Sequence, residues 1–279
     1  MAKLKDDENP RSIKYYVKRY FVENKDRFAG KTFLDIPAGK GFTSGLLASI
    51  GAKVLPYDLF PEKFQAANIK CKHADLTQPL PLKDNSVDFV ICQEGIEHLS
   101  DQLKVFNEFN RVLKTGGSLF LTTPNYSNLR SKMSYFLTES ERFRTMMPPN
   151  EIDSVWGVSP DKDRVYLGHI FLMGIQKIRI LGRLSGMNIQ KIIPNRSKKT
   201  SLFLFLFTYP FILLVNFKIY LENISKKSQY PKSELKKIYH EIFSLNISPA
   251  ILLHGHLFVE LKKEKSLKEV AEFIESRLD

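Results

Sequence analysis

The chain has 279 residues, 43% of them hydrophobic and 26% charged, and carries a formal net charge of +12. This length and balance suffice for one α/β domain with a full core and room for insertions, so no second domain is required. The charge admits a nucleic acid, an anionic membrane or merely a basic surface as its reason. The cations are mostly scattered among acids, and without interleaved aromatics or a recognised module nucleic acid is disfavoured as a partner.

The N-terminal "MAKLKDDENPRS" is charged and lacks an apolar core, so neither a cleaved leader nor an anchor is expected there. Over Pro10–Phe28, the positions Ile13, Tyr16, Val17, Tyr20 and Phe21 recur at helical spacing and predict one or two helices within residues 1–30. "KTFLDI" is a buried strand ended by Pro37. "FTSGLLASIGA" is a helix closed by Gly51, and "AKVLPYDL" a strand in which Pro56 argues for an edge or a kink. "IKCKHADL" and "VDFVICQEGI" are further strands. Cys71 and Cys92 fall inside them, form no metal-type cluster, and read as small buried hydrophobes in a reducing, cytoplasmic compartment.

"DQLKVFNEFNRVLK" has apolar residues at helical spacing and stops at "TGG", before the strand "SLFLTTP". Asn125 to Tyr166 is polar and loop-rich, and a helix follows over roughly Ile170 to Ser185. "MNIQKIIPN" is strand-like, and "ILLHGHLFVELKK" is a last strand before a terminal amphipathic helix. Strand–helix alternation of this kind predicts an α/β fold, a parallel, doubly wound sheet covered on both faces.

The stretch "FLDIPAGKGFTSGLL" joins the first strand to a helix through two glycines, in the spacing Asp35-x-x-x-Gly39-x-Gly41. A glycine turn at a helix N-terminus lets a ligand approach the backbone. The dinucleotide pattern would need a third glycine where Ser44 stands, and an acid ahead of the turn repels a pyrophosphate but attracts an ammonium. The ligand implied is cationic; the alternative is plain turn chemistry at Asp35.

These residues resemble the first motif of the class I S-adenosylmethionine-dependent methyltransferases, an acid followed by G-x-G after the first strand. The resemblance extends through Lys31–Asn125, with "LPLKDNSVDFVICQEGIEHL" and "RVLKTGGSLFLTTPN" in the expected order, and again over "GHIFLMGIQKIRILGRLSGMNIQKII" and "HGHLFVELKK". It implies a Rossmann-like seven-stranded sheet, mostly parallel with an antiparallel last strand, filling residues 1–279 as a single domain. It also implies S-adenosylmethionine as cofactor. Asp35 would then lie near the methionyl ammonium, with Gly39 and Gly41 leaving room for the donor. Asp58 would hold the ribose hydroxyls or, alternatively, cap the next helix. Asp75 and Leu76 would hold the adenine, and Gln93 and Glu94 would line the site.

Methyl transfer from a sulfonium requires mainly positioning and, for a hydroxyl acceptor, removal of a proton. A base at the end of the fourth strand would face the methyl group, because ligands in open α/β sheets bind beyond the carboxyl ends of the strands. His98 in "QEGIEHL" is the candidate base, since an unperturbed imidazole titrates near neutral pH, or it fixes the loop by hydrogen bonds. Glu97 would orient it or cap the following helix. His169 is a candidate for the substrate side, with a structural role as the alternative. His254 and His256 alternate along the predicted last strand, far from the expected methyl site, where packing accounts for them. No metal site is expected.

Two insertions, residues 125–168 and 196–250, begin after parallel strands and are natural lids over the acceptor. The second holds the apolar run Ser201 to Leu221, interrupted by Pro210, Asn216 and Lys218 and flanked by lysines. A single span is disfavoured because the chain must return to supply the last strand. A peripheral membrane contact at the inner membrane face, or an apolar lid against the core, fits instead. Either suggests a small or lipid-linked acceptor methylated at oxygen. The rival readings are a nicotinamide-dependent Rossmann oxidoreductase and a non-catalytic, membrane-associated relative.

Overall fold

The computed structural model describes residues 5–140, 148–159, 161–226 and 231–276. Parts of both predicted insertions, residues 141–147, 160 and 227–230, lie outside the described residues. Helices α1 (Ile13–Glu23) and α2 (Lys25–Phe28) precede β1 (Thr32–Asp35), α3 (Phe42–Ser49), β2 (Lys53–Asp58), the two-residue β3 (Lys72–His73) and β4 (Val87–Gln93). The chain continues through α4 (Gln102–Val112), β5 (Leu113–Pro124), α5 (Leu129–Thr138), a hairpin of β6 (Val155–Val158) and β7 (Val165–Leu167), α6 (Ile175–Leu184) and β8 (Met187–Ile192). Helices α7 (Lys199–Ser225), α8 (Lys232–Ile247) and α9 (Pro249–Leu253) lead to β9 (His256–Lys263) and α10 (Leu267–Glu275).

Seven strands form one sheet in the order β3-β2-β1-β4-β5-β9-β8. The pairs among β1 to β5 are parallel, and β9 runs antiparallel to both neighbours. The expected seven-stranded, mostly parallel architecture is therefore the observed one. Pro56 is tolerated because β3 pairs only with Tyr57 and Asp58, so beyond them β2 is an edge without a ladder to interrupt.

Alternation along the strands divides the core in two. Leu34, Val90, Leu119, Leu121 and Val259 face a layer containing Phe106 and Phe109 of α4 and Ile178 of α6. Phe33, Phe89, Phe120 and Phe258 face Val17, Tyr20 and Phe21 of α1 and Phe28 of α2. Tyr20 Oη donates to Glu260 Oε2 (3.2 Å), and the Arg27 guanidinium pairs with the same carboxylate, so the leading helices are tied to β9.

Four local expectations are corrected. Cys71 lies ahead of β3 and is only partly buried, whereas Cys92 is buried in β4. Residues 125–166 contain a helix and a hairpin where loop was expected. "ILL" is helical rather than the start of the last strand, because Ser248-Pro249 opens α9 with a proline at its first turn. His254 consequently precedes β9 instead of belonging to it.

Phe28 has ring centroids of Phe21, Phe33, Phe89 and Phe120 within 5.0 to 5.7 Å. Phe28→Ala would leave a cavity under both leading helices. The expected cost is about 3–5 kcal/mol, read as a lowered urea midpoint.

Candidate active site at the carboxyl edge of the sheet

Beyond the carboxyl ends of β1, β2 and β4 opens a cavity of about 510 Å³, within the range of small-molecule sites. Gly39, Asp58, Asp75, Leu76, Glu94 and His98 all line it. A larger surface depression of about 790 Å³ lies on the outer side of α3 and has none of these strand-end acids in its wall.

Gly39 has φ +52°, and open space where a Cβ would point, so its backbone is bare to a ligand. The Gly39 N–H donates to Asp58 Oδ2 (2.7 Å), and the Phe60 N–H donates to Asp58 Oδ1 (2.8 Å). These two bonds orient the carboxylate at the end of β2 and leave each oxygen a further lone pair for a diol. At Gly41 the demand is internal: a Cβ there would stand 2.7 Å from the Phe64 ring, and φ is +84°.

Asp35 and Gln93 sit behind the cavity wall. Gln93 Oε1 accepts from Thr43 Oγ1 (2.7 Å) at the start of α3. Asp35 is fully buried, accepts from Ser44 Oγ (2.5 Å), and has no hydrogen-bond partner for Oδ1 among the described residues. Burial raises its pKa to about 7, against the lowering effect of the Ser44 hydroxyl. The orphaned oxygen is a demand for a donor, and a cationic ammonium matches it.

The β6–β7 hairpin roofs the cavity. Trp156 and Tyr166 stack at 5.3 Å, and Phe60 meets both edge-on at 5.4 and 5.1 Å. The Arg164 guanidinium pairs with Asp75, whose Oδ1 also accepts from the Thr77 amide and hydroxyl. Burial alone would raise the Asp75 carboxyl, but Arg164 and Thr77 outweigh it and hold it below the usual carboxylate range. At the other end of the hairpin, the Leu167 carbonyl lies 2.8 Å from His98 Nδ1. A carbonyl only accepts, so Nδ1 carries the proton, and Nε2 of the neutral ring is an acceptor.

A second group gathers where β4 ends. Glu97 is fully buried: Oε2 accepts from Thr123 Oγ1 (3.1 Å), and Oε1, without a hydrogen-bond partner among the described residues, lies 4.0 Å from His169 Nε2. Glu97, His98 and His169 bring one ligand atom each within 4.8 Å of one another, a set able to hold a divalent cation. The rings of His98 and His169 meet edge to face at 4.8 Å. Glu94, at φ +51°, accepts from Thr122 Oγ1 (2.9 Å) and lies 3.5 Å from His256 Nε2. Burial, reinforced by Glu97, raises the Glu94 carboxyl well above the ordinary glutamate range. Burial, with the Lys198 and His169 charges, lowers His256 to about 4.

The placement of His256 corrects the expectation that it is remote. It opens β9 opposite Pro124, and that register carries it to the strand ends. The roof was also missed in the sequence. Its signal is two short aromatic and β-branched runs, "VWGV" and "VYL", separated by a polar turn.

Residues 34–121 match a family model described as a methyltransferase domain. A probable S-adenosylmethionine-dependent methyltransferase of Mycolicibacterium smegmatis is 34% identical over 106 residues, 36% of this chain and 40% of that protein. A ubiquinone biosynthesis O-methyltransferase of Aliivibrio fischeri is 27% identical over 143 residues, 48% of this chain and 60% of that protein. The chain thus spans about half the length of these curated relatives. In architecture it is similar to a SAM-dependent methyltransferase from Archaeoglobus fulgidus, with TM-score 0.51 at 14% identity, over 92% of this chain and 97% of that one. The glycine turn and the strand-end acids Asp58, Asp75 and Glu94 all lie within the matched methyltransferase domain, and over that part the chain is similar to S-adenosylmethionine-dependent methyltransferases.

Proposed function

We propose that this protein transfers the methyl group of S-adenosylmethionine to a hydroxyl oxygen of a small, lipophilic or lipid-linked acceptor. The observation that carries the reading is one cavity lined by the strand-end carboxylates of Asp58 and Asp75 together with His98. When bound, the cofactor supplies an activated methyl carbon. Asp58, Gly39, Asp75 and Leu76 would hold it, with Asp35 behind the turn answering its ammonium.

The remaining chemistry belongs to the chain. The Leu167 carbonyl fixes the His98 tautomer, so Nε2 can take the proton from an acceptor hydroxyl. An imidazolium formed there is stabilised by the Glu97 carboxylate in the same cluster. The similarity to a ubiquinone biosynthesis O-methyltransferase supports oxygen as the target, and the long apolar stretch supports a greasy acceptor.

The direct test is calorimetric titration with S-adenosylhomocysteine, followed by label transfer from S-adenosylmethionine to phenolic acceptors bearing apolar tails. Asp58→Asn removes a charged acceptor of hydrogen bonds and should weaken S-adenosylhomocysteine about ten- to a hundredfold. His98→Ala should lower kcat by about 10²–10⁴-fold and leave that affinity unchanged. Full activity would remove His98 from the mechanism.

Asp35 adds a pH signature. Its folded pKa of about 7 exceeds the ordinary 3.8, so its stabilising effect is complete below 3.8 and is lost as pH rises through 7. Urea midpoints should fall over that window, and Asp35→Asn should flatten the decline. Affinity for S-adenosylhomocysteine should rise over the same window, because only the ionised carboxylate attracts the ammonium.

A further inference from the structure

The longest helix among the described residues is apolar around most of its circumference and leaves much of that surface bare. α7 has 27 residues, hence about 40 Å of length, and among them only Ser201 is buried. Phe203, Leu206, Phe207, Phe211 and Leu214 recur at spacings of three and four residues, and each is more than 60% exposed. From Leu202 to Phe217 no residue carries a charge. Soluble monomers rarely leave contiguous apolar patches above a few hundred Å² in water, so a stripe of this kind calls for an occupant. The stripe continues onto α5, where Phe136 is 82% exposed and lines an apolar groove with Leu204 and Ile212 of α7.

We propose that α7, together with the outer turn of α5, seats in the interfacial layer of an anionic bilayer with its axis parallel to the surface. Charge complementarity selects this occupant. Lys198 and Lys199 stand at one end of the uncharged stretch and Lys218 and Lys226 at the other, on a chain of net charge +12. Flanking cations of this kind meet anionic headgroups while the aromatic and leucine side chains enter the acyl boundary.

The orientation follows from α8, which packs back along α7 through Tyr220 against His240 and Phe217 against Phe243. α8 carries Lys232, Glu234, Lys236, Lys237 and Glu241, groups that hydrocarbon excludes, so the hairpin lies on the membrane instead of crossing it. The root of α7 adjoins the site. The Lys198 N–H donates to the Leu253 carbonyl (2.8 Å), and Lys198 shares a small recess with His256, the neighbour of Glu94. Docking therefore brings the catalytic edge to the lipid surface, where a lipophilic hydroxylated acceptor is met. This deepens the reading given under Proposed function by naming where its acceptor is taken up.

The test is flotation of the full chain with phosphatidylcholine vesicles, with and without phosphatidylglycerol, at low and high salt. Binding that requires phosphatidylglycerol and weakens with salt is expected. The combined variant Phe203→Glu, Phe207→Glu, Phe211→Glu should lower the bound fraction at least about tenfold while circular dichroism and S-adenosylhomocysteine affinity stay unchanged. Should that variant fail to fold, Lys199→Glu with Lys218→Glu and Lys226→Glu must abolish the phosphatidylglycerol dependence. Absence of vesicle binding by the wild type, or full binding by the folded phenylalanine variant, overturns the proposal. So does a lipid-free dimer that Phe207→Glu dissociates, which would give the face to a second copy. Loss of S-adenosylhomocysteine binding in the wild type would instead strike the methyltransferase reading alone.

Discussion

The position of β9 between β5 and β8 is the constraint on which the rest depends. Running antiparallel, it pairs Leu121 with Val259 on one side and Ile192 with Val259 on the other, and its alternating residues enter both halves of the core. It also places Glu260 in a buried setting that the Arg27 guanidinium, with the Tyr20 and Ser118 hydroxyls, makes tolerable, which recruits α1 and α2 to the aromatic face. Because β9 reverses direction, β8 runs parallel to β5, and the chain leaves both strands at the same edge of the sheet. The two long excursions therefore converge on one site.

At that edge, carboxyl groups are held where water does not reach. Asp35 Oδ1 and Glu97 Oε1 have no hydrogen-bond partner among the described residues, and each anion is disfavoured for want of solvation. Such groups respond strongly to an arriving cation or proton. Asp75 and Asp58 differ in kind. They are already satisfied by Arg164, Thr77 and backbone amides, and they present a fixed geometry instead of an unmet charge.

The excursions divide the work. The β6–β7 hairpin meets the cavity wall at two places, with Arg164 on Asp75 and the Leu167 carbonyl on His98. Among the described residues the α7–α8 hairpin contributes no side chain to the cavity wall, and it turns an apolar helix outward beside it. The cover of the cavity and the exposed apolar surface thus belong to separate segments.

Patterns that act over a few residues were open to reading in the sequence. The strand–turn–helix around Asp35, Gly39 and Gly41, the acids closing β2 and following β3, and the helical period of α4 each follow from side-chain spacing and backbone freedom. So did the apolar character of Ser201 to Leu221. The placement of His256 and the contact of Phe60 with the roof were hidden for one reason, that proximity across the fold is not encoded locally. His256 stands beside Glu94 because of the register of β9 against β5, and the aromatic roof joins Phe60 to Trp156 and Tyr166 across about a hundred residues of chain. Composition determined that the α7 segment is apolar; only tertiary packing decided that α8 covers one flank and leaves the phenylalanines bare, since burial depends on which neighbours the completed sheet brings near.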